Sequence, residues 1–242
     1  MKNYGIQLYS VRDAMQKDME SALADIASLG YGMVEFAGFF GRSAESVKET
    51  LEKNGLAIIG THSSFDDLRP TKILETIAYH KAIGNKNYVI PGADLSTLEK
   101  IEDFVSVVNY AKPILAAEGI RLGYHNHSHE FVVMPWGSTI HAELERRTEL
   151  DFELDVYWLY NAGLNPVTVM EKLKSRLTLV HLKDGLPGGK GATLGKGEVP
   201  IVDVIAYAEK LGIPMIVESE TLTPDGPTEA KECIAYLRSL EN

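Results

Sequence analysis

One pattern repeats along the chain: an amphipathic helical segment, then a glycine, then a short apolar run. It occurs as ALADIASLGYGMVEF, SVKETLEKNGLAIIGTH, LETIAYHKAIGNKNYVIPG, VSVVNYAKPILAAEGIRLGYH and VIAYAEKLGIPMIVES. A helix commonly ends on a glycine with positive φ. We predict this role for Gly30, Gly55, Gly84, Gly119 and Gly212. The runs that follow do not alternate with polar residues, which is typical of parallel strands covered on both faces.

The pattern yields eight predicted strands, each followed by a helical segment. The strands are YGIQLYS, GMVEFAG, LAIIGTHS, NYVIPG, IRLGYHN, DFELDVYW, LTLVHLKD and PMIVESE. Eight strand–helix units in 242 residues match the size of a closed (β/α)8 barrel. An open doubly wound sheet would need fewer strands or a second domain, and no Gly/Ser/Pro-rich linker divides the chain. We therefore predict the α/β class, with a single (β/α)8 TIM barrel domain over residues 1–242.

Barrels of this type carry their chemistry at the C-terminal ends of the strands. The residues at these predicted ends are almost all polar or ionisable: Tyr9, Glu35, His62, Pro91, His125, Asp155, His181, Lys183 and Glu218. If these positions were only solvated loop starts, Ser, Gly, Asn and Thr would also be common among them. The enrichment in ionisable side chains predicts a functional site at this face.

Composition narrows the class of function. A formal charge of −10 argues against a nucleic-acid partner, because such proteins normally carry a basic stripe. The single cysteine, Cys233, excludes an internal disulfide framework and fits a reducing compartment. The N-terminal MKNYGIQLYSVRD has no long apolar run, so neither a signal peptide nor a membrane span is expected. We predict a soluble cytoplasmic protein.

Three of the seven histidines stand at alternate positions in GYHNHSHEF: His125, His127 and His129. In an extended strand, alternate side chains point to the same face. The stretch therefore predicts a metal site, a proton-transfer site or a polar loop, according to what else reaches the same space.

Three further motifs place ionisable residues at strand ends. Asp155 in FELDVYW either binds a ligand or caps the following helix. In LVHLKDG, His181 shares a face with Lys183, which a core would not tolerate unpaired. Glu218 in MIVESE follows three apolar residues, and a carboxylate buried there needs a cation; Glu220 lies further out, where solvation is expected.

Consecutive strands five to eight can bring one side chain each to a common point. A set of imidazole nitrogens and carboxylate oxygens suits a divalent transition ion better than calcium. The predicted ligands of one divalent ion (Mn, Co, Zn, Fe or Mg) are His125, Asp155, His181 and Glu218.

In this order, YHNHSHEF, ELDVYW, HLKDG and VESE resemble the xylose isomerase-like TIM barrels. They are most similar to the sugar phosphate isomerase/epimerase branch, which includes inosose dehydratases and keto-sugar epimerases. The resemblance covers the chain from GIQLYSVRD to the last helix and implies the same four metal ligands. One position departs: ketose 3-epimerases have a glutamate acid/base where His125 stands, so a symmetric exchange between two carboxylates is not expected.

The resemblance implies an isomerase, epimerase or dehydratase that abstracts a proton next to the metal-bound carbonyl of a keto-sugar or keto-polyol. Lys183 looks like a dehydratase-type base, with Glu218 as the alternative base, and His127 then donates or returns a proton. The predicted substrate-binding residues are Tyr9, Glu35 and His62 for sugar hydroxyls, Trp158 for a ring face, and Glu130, although a loop glutamate is usually solvated.

Two alternative functions stay open at this point. Endonuclease IV-like hydrolases share the barrel, but the acidic balance weighs against a DNA-binding face; a sugar-binding barrel without catalysis is the other. The glycine-rich DGLPGGKGATLGKGEV matches no Walker motif, and we predict a mobile loop covering the substrate. A homodimer is the expected assembly.

Overall fold

Eight parallel strands close into a barrel in the computed structural model, which describes residues 2–241. The barrel strands are β1 (Gly5–Gln7), β2 (Met33–Ala37), β3 (Ala57–His62), β4 (Asn87–Ile90), β5 (Arg121–His125), β6 (Asp151–Asp155), β7 (Leu177–Leu182) and β10 (Met215–Val217). Each pairs in parallel with its neighbour, and β1 pairs with both β2 and β10, which closes the ring. The predicted (β/α)8 TIM barrel is confirmed.

Helices connect the strands and cover the barrel. They are α1 (Arg12–Met15), α2 (Met19–Ser28), α3 (Ala44–Asn54), α4 (Ile73–Ala82), α5 (Leu98–Ala117), α6 (Ile140–Arg147), α7 (Val156–Asn161), α8 (Pro166–Leu173), α9 (Ile201–Leu211) and α10 (Gly226–Ser239). Short 3-10 turns span Leu8–Val11, Phe65–Leu68 and His129–Phe131. A two-stranded antiparallel hairpin, β8 (Asp184–Leu186) and β9 (Lys190–Ala192), lies outside the barrel. Within residues 2–241, every helix is too short or too polar to cross a membrane.

The predicted glycine helix ends are confirmed. Gly55 and Gly212 cap α3 and α9 at φ of 64° and 68°, a left-handed conformation that a Cβ would strain. The other three predicted glycines also have positive φ. Because these stops fix where each helix turns back, they also fix where the next strand enters the barrel.

The barrel interior changes from apolar to ionisable along its axis. Val89, Leu179 and Ile216 form a buried apolar cluster in the interior. Two residues further along two of these strands, on the same face, stand His181 and Glu218. The ionisable groups at the mouth of the barrel therefore rest on a packed hydrocarbon floor, which fixes them and excludes water from below.

Candidate metal centre and active site

The four predicted metal ligands lie together at the mouth of the barrel. Asp155 and His181 are directly paired across β6 and β7, His125 ends β5, and Glu218 follows β10. His125 Nε2 lies 3.6 Å from Asp155 Oδ2 and 3.8 Å from Glu218 Oε2. His181 Nδ1 lies 3.0 Å from Glu218 Oε2. Ligand atoms from all four residues fall within 4.8 Å of one another, and all four side chains are buried.

The unsatisfied atoms of this cluster fit a divalent ion. Within residues 2–241, neither ring nitrogen of His125 has a hydrogen-bond partner, and the same holds for Asp155 Oδ2. Buried polar atoms without partners are costly and call for an explanation. Separations of 3.0–3.8 Å are those expected between ligands that bind one ion at about 2.1 Å. Two imidazoles and two carboxylates suit Mn, Fe, Co or Zn.

Asp155 combines the two functions that its sequence position left open. Its Oδ1 accepts a hydrogen bond of 2.9 Å from the Trp158 amide and caps α7. Its Oδ2 stays free and faces His125. One carboxylate can therefore start the helix and offer a ligand at the same time.

A second layer of ionisable side chains lies behind His181. His181 Nε2 lies 2.7 Å from Glu35 Oε2 and 3.2 Å from Glu153 Oε1. His62 Nε2 lies 2.6 Å from Glu153 Oε2, and Gln7 Nε2 donates to Glu35 Oε2 at 2.9 Å. Glu35 and Glu153 are fully buried. The structure thus places Glu35 behind a metal-ligand candidate and away from the sugar hydroxyls that we predicted it to hold, because β2 continues past it to Ala37.

Burial and neighbouring charges shift the pKa values in this layer in opposite directions. Burial and the Glu153 carboxylate raise the pKa of Glu35 to about 7. For Glu153 burial acts in the same direction, but the His181 and His62 imidazoles outweigh it and hold the pKa well below its usual range. Burial disfavours the charged form of His181, yet Glu153, Glu218 and Glu35 raise its pKa well above the ordinary value. These carboxylates therefore favour the charged form of His181.

A cavity of about 380 Å³ opens above the metal-ligand candidates. Its wall includes three residues predicted to act on the substrate: Tyr9, His62 and His127. It also includes Glu220, for which we predicted a solvated position. A third of the Glu220 side chain is exposed. The full lining is Tyr9, Ala37, His62, Pro91, His125, His127, Glu218 and Glu220.

Lys183 is buried at the side of this cavity among carboxylates. Its Nζ donates to Glu220 Oε2 and lies 3.5 Å from Glu218 Oε2 and 3.7 Å from Asp155 Oδ2. Burial lowers the pKa of Lys183, but these carboxylates outweigh it and raise the pKa above its ordinary value. The ammonium also lies 4.8 Å above the ring of Trp158, so the indole packs against Lys183 and is not part of the cavity wall.

The histidine-rich stretch is only partly a strand, which corrects the prediction from its alternation. β5 ends at His125; His127 lies in the following loop, and His129 begins a 3-10 turn with 62% of its side chain exposed. Glu130 shapes this loop: it accepts hydrogen bonds from the Tyr124 hydroxyl at 3.0 Å and the His127 amide at 2.8 Å. Glu130 is fully buried, which corrects its prediction as a solvated or substrate-binding loop residue.

Asp184 anchors the glycine-rich loop that follows β7. Its carboxylate accepts four backbone N–H groups, from Gly185, Gly195, Gly197 and Val199. A side chain at position 197 would place its Cβ 2.1 Å from Asp184 Oδ1, so only glycine allows this close approach. The loop is therefore fastened at its base, a constraint that the sequence did not suggest.

Residues 23–240 match the model of the xylose isomerase-like TIM barrel family. The chain belongs to this family. The predicted resemblance is confirmed, and with it the broad class of sugar isomerase, epimerase and dehydratase-like barrels.

Three proteins similar to this chain are named for reactions of sugars or cyclic polyols. An inosose dehydratase of Clostridium botulinum (strain Alaska E43 / Type E3) is 24% identical over 200 residues, which cover 71% of this chain and 65% of that protein. The match thus spans less than two thirds of the relative's length. A sugar phosphate isomerase/epimerase of Parabacteroides distasonis superposes with a TM-score of 0.83 at 25% identity, with 98% of both chains covered. An L-ribulose 3-epimerase superposes with a TM-score of 0.73 at 14% identity, over 98% of this chain and 94% of the other, and shares the fold.

Proposed function

We propose that this xylose isomerase-like barrel is a divalent-metal-dependent enzyme that moves a proton next to the carbonyl of a keto-sugar or keto-polyol. The reaction is an isomerisation, an epimerisation or a dehydration. One observation carries the proposal: the unpartnered buried atoms His125 Nε2 and Asp155 Oδ2 converge with His181 Nδ1 and Glu218 Oε2 directly beneath a cavity.

The metal would be held by His125, Asp155, His181 and Glu218. When bound, a divalent ion supplies Lewis-acid polarisation of a carbonyl oxygen, which acidifies the neighbouring C–H group. The protein's own task is then to orient the substrate, exclude water and transfer the proton.

We assign proton transfer to three groups beside the cavity. Lys183 contacts the carboxylates of Asp155 and Glu218, and Glu218 itself lines the cavity. His127 also lines the cavity, where Glu130 fixes its backbone and raises the pKa of its ring against the opposing effect of burial. His127 can therefore give a proton to a leaving hydroxyl or return one to carbon.

We assign substrate orientation to the remaining polar groups that line the cavity. Tyr9 offers its hydroxyl from the 3-10 turn that follows β1. His62 lies at the end of β3 and contacts Glu153 through Nε2, so its Nδ1 is the nitrogen assigned to the substrate. A second cavity of about 520 Å³ shares His62 with the first, so the opening has room beside the bound sugar.

The test of this function is metal analysis followed by solvent exchange. We expect the purified protein to carry about one divalent ion per chain. In deuterium oxide it should incorporate deuterium next to the carbonyl of at least one keto-sugar or keto-inositol in a panel followed by NMR. An ion-loaded protein that binds such sugars without exchange or turnover would instead be a sugar-binding barrel, contrary to the proposal.

We further expect an uncharged substrate to bind better than its phosphate ester. Among the described residues, the cavity wall has two carboxylates, Glu218 and Glu220, and no lysine or arginine. Arg12, near the rim, already donates to the carbonyl oxygens of Tyr9 and Glu220. A phosphate group placed in this cavity would have no lysine or arginine from its wall as a partner, so the phosphorylated sugar should bind at least about tenfold more weakly.

The measurement is calorimetric titration of the metal-loaded protein with a keto-sugar and its phosphate ester. Equal or tighter binding of the ester contradicts the predicted preference. It would leave the metal-dependent proton transfer untouched, since the two depend on different residues.

A further inference from the structure

The layer behind His181 forms a closed ring of alternating carboxylates and imidazoles. Glu35 Oε2 lies 2.7 Å from His181 Nε2, and His181 Nε2 lies 3.2 Å from Glu153 Oε1. Glu153 Oε2 lies 2.6 Å from His62 Nε2, which in turn lies 3.7 Å from Glu35 Oε2. The four residues come from four strands: β2, β3, β6 and β7. We call this set Glu35, His62, Glu153 and His181 the buried ring.

Two members of the ring, Glu35 and Glu153, are separated from the substrate cavity, whereas His62 lines it. Glu35 and Glu153 are fully buried and absent from the cavity wall. Gly60 on β3 leaves space for Glu35, since a Cβ there would lie 2.6 Å from Glu35 Oε1. Leu179 packs close to the same glycine, since that Cβ would meet its Cδ1 at 3.2 Å. Two carboxylates held in such a place must act on the histidines they contact.

A metal-binding histidine must present one nitrogen without its proton. Which nitrogen is free depends on the hydrogen bond that the other one makes. In His181 the two nitrogens face different partners: Nε2 faces the ring carboxylates, and Nδ1 faces Glu218. Carboxylate oxygens of Glu35 and Glu153 lie 2.7 Å and 3.2 Å from Nε2, so a proton on Nε2 has two acceptors there and Nδ1 is left for the ion.

We propose that Glu35 and Glu153 are positioning residues that keep the proton of His181 on Nε2 and thereby direct the Nδ1 lone pair to the metal. This inference rests on the proposed metal site. Neither glutamate touches the ion or the substrate. Their contribution is the orientation and the basicity of one ligand, and partners of this kind typically change metal affinity 10–100-fold.

Two side chains, Gln7 and His181, contact the Glu35 carboxylate and restrict its position. Its Oε2 accepts from Gln7 Nε2 and also contacts His181 Nε2, and Gln7 stands beside it in the register of β1 and β2. Gln7 is itself fully buried. Gln7 thus holds the same carboxylate oxygen that contacts His181 Nε2, which restricts the rotation of the carboxylate.

The experiment compares Co²⁺ binding by the wild type, Glu35→Gln and Glu153→Gln, using the absorbance of bound Co²⁺. Glutamine keeps the shape but loses the charged acceptor. We expect Kd for Co²⁺ to rise about 10–100-fold in each variant. Glu229→Gln is the matched control: Glu229 is also fully buried, but its Oε1 accepts from the hydroxyls of Thr193 and Thr221. The control should bind Co²⁺ like the wild type.

A second measurement needs no variant and holds even if the substitutions prevent folding. In ¹⁵N NMR of the wild type loaded with diamagnetic Zn²⁺, His181 should show a protonated Nε2 and a metal-bound Nδ1. The reverse assignment, or an Nε2 without a proton, overturns the inference.

Two results of the titration also overturn it. One is unchanged Co²⁺ affinity in folded Glu35→Gln and Glu153→Gln. The other is a second equivalent of Co²⁺ in the wild type that Glu153→Gln removes, since the ring would then hold an ion in place of a proton. A wild type that binds no Co²⁺ at all is a different failure, because it refutes the proposed metal site itself.

Discussion

Asp155→Asn is expected to abolish metal binding and to slow substrate proton exchange about 10³-fold while the fold is retained. Asparagine keeps an Oδ1 that can accept from the Trp158 amide and start α7. The amide nitrogen that replaces Oδ2 faces His125 Nε2 but has no lone pair to offer an ion. Loss of Lewis-acid assistance worth several kcal/mol corresponds to about this change in rate. Metal content and the rate of deuterium incorporation measure it.

Asp18→Asn provides the control for Asp155→Asn, because Asp18 also caps a helix. Its side chain accepts from the amides of Glu20 and Ser21 at the start of α2, at an exposed position. The control should keep its metal and its activity. If Asp155→Asn also kept both, the metal site would not include Asp155, and the proposed function would lose its central observation.

The fold was predictable because its determinants are local. Glycines such as Gly55 and Gly212 end helices through their own φ angles. Apolar runs without alternation identify strands buried on both faces. Once eight such units are counted, barrel closure follows, and consecutive strand ends must meet. For this reason the sequence predicted that Asp155 and His181 lie close together, although 26 positions separate them in the chain. The strand register confirms that they are paired.

The buried ring was not predictable, because its contacts join residues far apart in the chain. Glu35 lies 146 positions from His181, so no local sequence pattern links the two residues. The one available signal was its place in β2: the apolar Phe36 follows it, so the strand continues and Glu35 lies inside the barrel. Glu153 gave a similar hint, since it shares a face with Asp155 two residues later.

The histidine-rich loop shows a different limit. Alternation is a valid strand signal only while backbone pairing continues, and here β5 stops at His125. The side chain of Asn126 exchanges hydrogen bonds with the backbone of Asp155, accepting from its N–H at 3.1 Å and donating to its carbonyl at 3.3 Å. Glu130 then holds the His127 amide. Hydrogen bonds from polar side chains thus replace the backbone hydrogen bonds between strands, and the chain leaves the extended conformation.

Lys183→Arg and Lys183→Met are both expected to lower the rate of proton exchange by about 10²–10⁴-fold while metal binding persists. The range is that of a lost general acid or base. Arginine keeps a positive charge among Asp155, Glu218 and Glu220 but does not exchange its proton at accessible pH. Methionine removes the charge as well. Exchange rates measured at saturating Mn²⁺, together with metal content, separate a chemical defect from loss of the ion.

The pair of substitutions at Lys183 distinguishes proton transfer from simple charge balance. An ammonium that only neutralises three carboxylates can be replaced by a guanidinium, so near wild-type activity in Lys183→Arg would remove Lys183 from the proton-transfer step. Lys196→Met is the matched control, since Lys196 lies in the glycine-rich loop, is exposed and pairs with Glu232. An exposed pair of this kind contributes about 1 kcal/mol or less, and activity should not change. Equal losses in both Lys183 variants, with metal content unchanged and an unaffected control, support passage of the proton through Nζ.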